Sequence, residues 1–365
     1  MLTVLTDTSY STPFLVPGGL DDVEIIRRRF LKRYRVLSPF AFHAPVSRFD
    51  LFHTVNHIPI TTKPWIVTFE SILPRTLAAG PAWVKKFLRT QLLRDNCKAL
   101  VAMSDWAALQ FRATNSDWKG AEEALKKVVV LHPSVPVRSQ ERRVFKTGDV
   151  LQLVFVGGDF ARKGGLVSLR AARELKRLGV PILLHIVSNM KFGPGVHTDA
   201  PVRAPYETEL ASPPNNIVFH GTLSNKAVLS LMQQCHFTLL PTLYDTFGFS
   251  VLEGYSVGTP VIASNVCALP EFISDRKTGL ILSLPLDERR RLPLVVHWPN
   301  YGWDEVNTLY ECLSQHMVEA IQRVIESPDI VETMSDGAIR QIEGQMRRAV
   351  AFLGRLYHCA VETRR

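Results

Sequence analysis

Apolar residues along this 365-residue chain cluster in short runs, separated by stretches with helical spacing and by Gly- and Pro-rich turns. In the first half the runs Thr3–Leu5, Asp50–Val55, Trp65–Phe69, Ala99–Met103 and Val128–Leu131 read as strands. Helices are expected at Val23–Tyr34, with Asp21 and Asp22 at the cap, at Pro81–Asp95, and at Asp105–Thr114 behind Ser104. The second half repeats the alternation more clearly. Strands are predicted at Leu151–Val156, Ile182–Val187, Ile217–Phe219, Phe237–Leu240 and Pro260–Ala263. Helices are predicted at Gly165–Leu178, Ala227–Cys235 and Phe249–Val257, and from about Glu305 the pattern is helical to the end. Nearly continuous apolar strands such as Leu151–Val156 suit a parallel sheet buried on both faces. Strands alternating with helices at this spacing imply doubly wound α/β sheets.

Between Pro133 and Gly148 the chain turns Pro-rich and then charged, which is linker composition. Two domains are therefore expected, 1–148 and 149–365, a division that the length also favours. The charge splits along the same line. Residues 1–150 hold 22 Lys+Arg against 13 Asp+Glu, a net of +9, whereas residues 151–365 hold 21 against 21. A one-sided basic surface draws something anionic, such as a membrane, a nucleic acid or a phosphorylated acceptor. The stretches Arg27-Arg28-Arg29 with Lys32, Arg33 and Arg35, and Lys85-Lys86-Phe87-Leu88-Arg89, have the makeup of helices resting on an anionic membrane. No apolar run approaches the roughly 18–20 residues of a spanning helix, and the N-terminus lacks the pattern of a signal peptide, so an intracellular protein is expected. The cysteines Cys97, Cys235, Cys267, Cys312 and Cys359 are scattered without a C-x-x-C pair, which favours small buried residues over disulfides or a zinc site.

Two segments carry chemistry. In Leu239–Glu271 a buried strand ends at Pro241, and a turn containing Gly248 delivers the chain to a helix starting near Phe249. The N–H groups of Phe249, Ser250 and Val251 would then face an anion with the positive end of the helix dipole behind them. Glu253 stands one turn into that helix, where a carboxylate can accept from paired ribose hydroxyls, and Asp245 stands at the loop edge, where a sugar could sit. In Val154–Gly165 a strand empties into a glycine-rich loop holding Arg162 and Lys163, able to approach a diphosphate closely and neutralise it. It is neither a Walker A loop nor a G-x-G-x-x-G fingerprint.

The first segment resembles the signature of GT-B glycosyltransferases of family 4, E-x-F-G-x-x-x-x-E followed by G-x-P-V-I-A-S. Phe247, Gly248, Glu253, Gly258, Pro260, Val261, Ile262, Ala263 and Ser264 match, and Asp245 replaces the first Glu. The second resembles the family's G-R-x-x-x-x-K-G loop, with Lys163 matched, Gly158 where Arg is customary, and Arg162 as a substitute charge. The resemblance implies two Rossmann-like domains facing a cleft, a fold that allows C-terminal helices to return to the N-terminal domain. It implies that Asp245 touches the transferred sugar, Glu253 the ribose, and the backbone near Leu223, after His220-Gly221, the base. Pro17-Gly18-Gly19 corresponds to the glycine loop near the diphosphate, and Glu70, after Trp65–Phe69, stands where the family has a His facing the acceptor. His53 and His57 read more naturally as packed histidines than as functional ones.

The expected activity is a retaining, metal-independent hexosyl transfer from a nucleotide diphosphate sugar to an acceptor hydroxyl, in polysaccharide, glycolipid or other glycoconjugate synthesis. The expected catalytic residues are Asp245, Lys163 and Glu70. The donor-binding set is Gly18, Gly19, Gly158, Arg162, Lys163, Leu223, Asp245, Phe249, Ser250, Val251 and Glu253. No metal site and no cofactor beyond the donor are expected, since no acidic D-x-D motif ends a strand. The expected partners are the donor, a glycan or lipid-linked acceptor and an anionic surface, with a cytoplasmic location at the inner face of the plasma membrane. The rival readings are a sugar-nucleotide epimerase or hydrolase on the same fold, and a non-catalytic nucleotide-sugar or nucleic-acid binder. Aromatic-rich stacking motifs of RNA binders are missing, so no nucleic acid partner is expected.

Overall fold

The computed structural model describes residues 1–7, 20–28, 40–41, 48–75, 81–296 and 300–362. The chain divides into two units, Met1–Pro136 with Gly344–Arg365, and Val137–Glu343. The division thus falls inside the linker but ahead of residue 148, and the last 22 residues group with the first unit.

In the first unit the strands are β1 (Leu2–Asp7), β2 (Val23–Arg28), β3 (Phe40–Ala41), β4 (Leu51–Val55), β5 (Ile58–Pro59), β6 (Trp65–Phe69), β7 (Cys97–Ala102) and β8 (Val128–Val130). Helices α1 (Ala82–Leu93), α2 (Asp105–Thr114) and α3 (Ala121–Leu125) lie between the later ones. Six strands form a wholly parallel sheet in the order β2-β1-β4-β6-β7-β8, and β3 pairs with β5 apart from it. All five residues of β4 and of β6 are buried, because helices cover both faces of the sheet. One face packs Leu5, Phe52 and Val67 against Leu88 and Leu92 of α1 and Phe111 of α2. The other packs Val4, Leu51, Ile66 and Val101 against Leu353, Tyr357 and Ala360 near the chain's end.

The helix expected at Val23–Tyr34 is not formed: residues 23–28 are the edge strand β2, and 29–34 lie outside the described residues. Val23, Ile25 and Ile26 are β-branched, and pairing with β1 from Leu2↔Val23 to Asp7↔Arg28 satisfies their backbone. Asp22 caps no helix. Its backbone oxygen accepts from Leu2 N at 3.0 Å, and its carboxylate meets His358 Nε2 at 2.6 Å. Ser104 does cap α2, accepting from Ala107 N at 2.9 Å.

The second unit holds β9 (Leu151–Val156), α4 (Gly165–Arg177), β10 (Ile182–Val187), α5 (Ala204–Leu210), β11 (Ile217–Gly221) and α6 (Asn225–Gln234). It continues through β12 (Phe237–Leu240), α7 (Phe249–Ser256), β13 (Val261–Ser264), β14 (Gly279–Leu282), α8 (Pro293–Val296) and α9 (Trp303–Glu326). The long α10 (Ile330–Glu362) starts in this unit and ends in the first. The sheet is parallel throughout, in the order β11-β10-β9-β12-β13-β14. Short elements with little periodicity, α3, α5 and β14, were not legible in the apolar pattern. Cys97, Cys235 and Cys267 are buried as expected, but Cys312 is half-buried and Cys359 exposed.

Candidate functional site

The order of the second sheet places its topological switch point between β9 and β12, where successive connections diverge to opposite faces. Ligands of doubly wound sheets bind at such a point, in the crevice beyond the strands' carboxyl ends. Here the two loops that open there are the two segments singled out by sequence, residues 157–164 after β9 and 241–248 after β12. They approach closely: a Cβ on Gly164 (φ +86°) would lie 2.0 Å from the carbonyl oxygen of Pro241, so only glycine fits. Thr242 Oγ1 adds a bond to the backbone oxygen of Arg162 at 2.6 Å.

Across this junction Lys163 Nζ donates to Asp245 Oδ2. Asp245 is 5% exposed, and its second oxygen accepts from Gly248 N at 3.1 Å and Phe247 N at 3.4 Å, at the start of α7. Burial alone would raise the Asp245 carboxyl. The Lys163 charge and hydrogen bond, with Arg162 and the Phe247 N–H, outweigh it and hold the group below its usual range. Gly248, at φ +84° and pressed against Leu269, makes the bend that starts α7. Phe249 and Ser250 are half-buried and Val251 buried. Gly158 faces open space, its nearest neighbour being Asn189 Nδ2 at 3.7 Å from a built Cβ.

Glu253 stands on α7, half-buried, and accepts from Asn225 Nδ2 at 2.7 Å. Burial raises its carboxyl, while Asn225 and the charge of Arg138 oppose the rise without cancelling it. Asn225, the first residue of α6, had no sequence signal, because only the β11–α6 turn brings it to Glu253. Leu223, in that same turn, packs against the cluster around Val154, Val187 and Val228.

Residues 137–289, which contain Lys163, Asp245 and Glu253, match the family described as Glycosyl transferases group 1. That segment of the second unit is similar to the group 1 glycosyltransferases. The chain's fold is GT-B. A solved glycosyltransferase from Rickettsia africae superimposes with a TM-score of 0.62 at 15% identity, over 98% of both chains. Anabaena HepE, solved in complex with UDP and glucose, does so with a TM-score of 0.58 at 11% identity, over 97% of this chain and 99% of that one. In sequence, the D-inositol 3-phosphate glycosyltransferase of Mycobacterium tuberculosis is 27% identical over 290 residues, 73% of this chain. The matched curated relatives are spanned only in part, from 25% to 57% of their own length.

The remaining site residues divide. Gly18 and Gly19 lie outside the described residues. Arg162 does not stand as an unpaired substitute for the missing Arg: Asp159 takes it at 3.0 Å, from both Nε and Nη2. Glu70 belongs to the first unit, just beyond β6, where it is 7% exposed and accepts from Arg75 Nη1 at 2.8 Å. His53 is fully buried, with Nδ1 on Tyr357 Oη at 2.8 Å and Nε2 on Thr68 Oγ1 at 2.7 Å, and burial lowers its pKa to about 3. It is a packed histidine. Sequence reading missed His197, whose ring packs 5.4 Å from that of Tyr244 and whose pKa is lowered by partial burial and by the Arg162 charge. Its loop, after β10, has no motif to flag it. Of the basic stretch on α1, Arg89 is buried and held by Asp117 and Asn115, while Lys86 remains exposed.

Proposed function

We propose that this chain is a retaining glycosyltransferase moving a hexosyl group from a nucleoside diphosphate sugar to an acceptor hydroxyl. The observation that carries the reading is the Lys163–Asp245 pair at the switch point, directly before the start of α7. As the anomeric C–O bond to the diphosphate breaks, the electron pair leaves with the phosphate oxygen. Lys163 and the first N–H groups of α7 then meet the growing negative charge in a partly dry site. The acceptor oxygen bonds the anomeric carbon on the face that the diphosphate left, and its proton passes to solvent or to the departing diphosphate. Asp245 orients Lys163 and holds the sugar's hydroxyls, and Glu253, aligned by Asn225, takes the ribose. Positive charge is thus supplied by the chain itself, which supports transfer without a metal or any cofactor beyond the donor. HepE's complex with UDP and glucose favours a UDP-sugar as the first donor to try.

The acceptor, a glycan or lipid-linked saccharide in glycoconjugate synthesis, falls to the first unit, with Glu70 near it. Attraction to an anionic membrane face, and hence a peripheral location at the inner face of the plasma membrane, is supported by α1. That helix exposes Trp83 (65%) and Phe87 (37%) beside Lys86, an apolar and basic stripe suited to a headgroup region. Arg27 and Arg28 add exposed charge, on a strand rather than a helix. Among the described residues no helix is long and apolar enough to cross a membrane.

The test is release of UDP from UDP-sugars with and without a panel of acceptors, in the presence of a chelator, followed by NMR of the product's anomeric configuration. Acceptor-dependent release with retained configuration is expected. Release or epimerisation without acceptor would replace the reading by a hydrolase or epimerase, and tight donor binding without turnover by a binding protein.

A further inference from the structure

We infer that the first unit carries a second ligand site, a pocket for a small phosphorylated molecule that also bears a hydroxyl group. It is a cavity of about 350 Å³ between the end of β8 and the C-terminal part of α10, within the size range of small-molecule pockets. Leu131 and Phe352 give it an apolar floor, with His132 just past the strand. Arg348 and Arg355 line its helix side, two turns apart on one stripe, and so about 10 Å from each other along the axis. Among the described residues neither arginine meets a carboxylate. Arg348 folds back over Gly344, its Nη1 3.4 Å from where a Cβ there would lie, and it lines the same cavity as Gln345.

Gln345 is the independent observation. It lines the same cavity, is only 3% exposed, and its Oε1 is buried with no hydrogen-bond partner among the described residues. A buried carbonyl oxygen left unpaired is unfavourable by about 1–3 kcal/mol, so such groups are retained where something completes them. An acceptor beside two unneutralised guanidiniums selects a ligand with complementary parts. An anion takes the arginines, bidentate where the fork allows, and a hydroxyl donates to Gln345 Oε1. The apolar floor accommodates the carbon skeleton between them. A polyol phosphomonoester has this chemistry, and so does the glycerol phosphate headgroup of a lipid. The site shares no residue with the Lys163–Asp245 junction in the other unit and does not rest on the transferase reading.

The experiment is calorimetric titration of sn-glycerol 3-phosphate and of inorganic phosphate into the full chain, with flotation on phosphatidylglycerol vesicles as the second arm. Arg348→Ala with Arg355→Ala should weaken glycerol 3-phosphate by about tenfold or more, the scale of one charge-assisted contact. Gln345→Leu should weaken glycerol 3-phosphate while sparing inorganic phosphate, which separates hydroxyl recognition from charge. Lys163→Ala, which cripples any phosphate binding at the other junction, should leave the titration unchanged. Flotation lost in the arginine double variant, with no soluble binding, would place the same chemistry on a lipid headgroup. Binding that follows Lys163 and ignores Arg348 and Arg355, or no calorimetric binding together with no flotation, would overturn the inference. Arg348 and Arg355 are exposed while Gln345 is buried, and circular dichroism checks that each variant remains folded.

Discussion

The carboxyl ends of the two sheets solve the same problem differently. Both sheets are parallel and doubly wound, so both open a crevice where their connections diverge, between β9 and β12 in the second unit and between β1 and β4 in the first. In the second, the crevice is edged by an ion pair whose carboxylate also holds the start of a helix. In the first, the described residues at and beyond β4 and β6 are tied to one another. His53 is locked between Thr68 and Tyr357, Asn56 accepts from Glu70 N at 3.1 Å, and Glu70 turns to Arg75. One topology therefore yields one end whose buried ion pair joins two loops and one where a partly exposed ion pair sits beside neutral hydrogen bonds, depending on which side chains follow the strands.

The sharpest way to break that contrast is at Lys163. Lys163→Met leaves Asp245 charged and buried without its cation, and should destabilise the second unit by about 3 kcal/mol. Turnover should fall on the order of 10²–10³-fold as a transition-state stabiliser is lost. Adding Asp245→Asn should return most of the stability, since Asn can still accept from Gly248 N, but not the turnover. Arg75→Met should cost well under half as much, because Arg75 is 52% exposed and its pair with Glu70 is screened. Urea titrations at pH 7 check all four proteins. Equal losses for Lys163→Met and Arg75→Met would erase the distinction between the two ends.

Next in size is Glu253→Ala, expected to weaken UDP by about 1.5–3 kcal/mol, the range for a hydrogen bond to a charged group, with the fold intact. Asn225→Ala should lose a smaller part of the same affinity, and calorimetry distinguishes the two. A Glu253→Ala protein with native UDP affinity would remove the ribose role.

Two buried groups, His53 in the first unit and Asp199 in the second, should also titrate with opposite sign. His53, neutral when buried, has its pKa lowered from 6.5 to about 3, so the unfolded chain binds its proton first as pH falls. Its contribution to stability is intact above about 6.5 and is lost below, at up to about 1.4 kcal/mol per pH unit. Asp199 lies in the loop after β10, 1% exposed, bonded to Tyr206 Oη and to Ala200 N at 2.8 Å. Burial raises its pKa from 3.8 to about 6, against the opposing hydrogen bonds. The folded state therefore takes its proton first, and acidification from pH 6 towards 4 relieves a cost present at neutral pH. Hydrogen exchange between pH 4 and 7 should show residues 51–69 opening more easily at low pH, and Asp199→Asn should protect residues 192–210 at pH 7 more than at pH 4. His53→Gln should flatten the first trend.

The smallest expected effect is at Arg162. Because Asp159 already holds it, Arg162→Ala should weaken UDP by no more than about 1 kcal/mol, more than Arg177→Ala but far less than Lys163→Met. A loss as large as that of Lys163 would mean that Asp159 releases Arg162 when the donor arrives.

Much of the second unit was legible because its signals are local. Ile182–Val187 and Phe237–Leu240 are wholly buried or half-buried strands and read as such from their apolar runs, and the Gly248 bend and α7 followed from a glycine and a helical pattern. The sequence also pointed to the linker and to the two loops and the helix that carry Lys163, Asp245 and Glu253, since fixed spacing around glycines is itself a local constraint. What it could not specify depends on partners distant in the chain. Val23–Arg28 is a strand only because β1 lies beside it. Arg162 is neutralised by a turn that brings Asp159 back three residues, and Glu253 meets Asn225, 28 residues away. Arg348 and Gln345 face β8 only because the chain's final helix packs along the first sheet. Short-range pattern determines which elements form and which side chains they carry. Which of those side chains confront one another is settled by sheet order and helix packing, where burial and pairing are decided together.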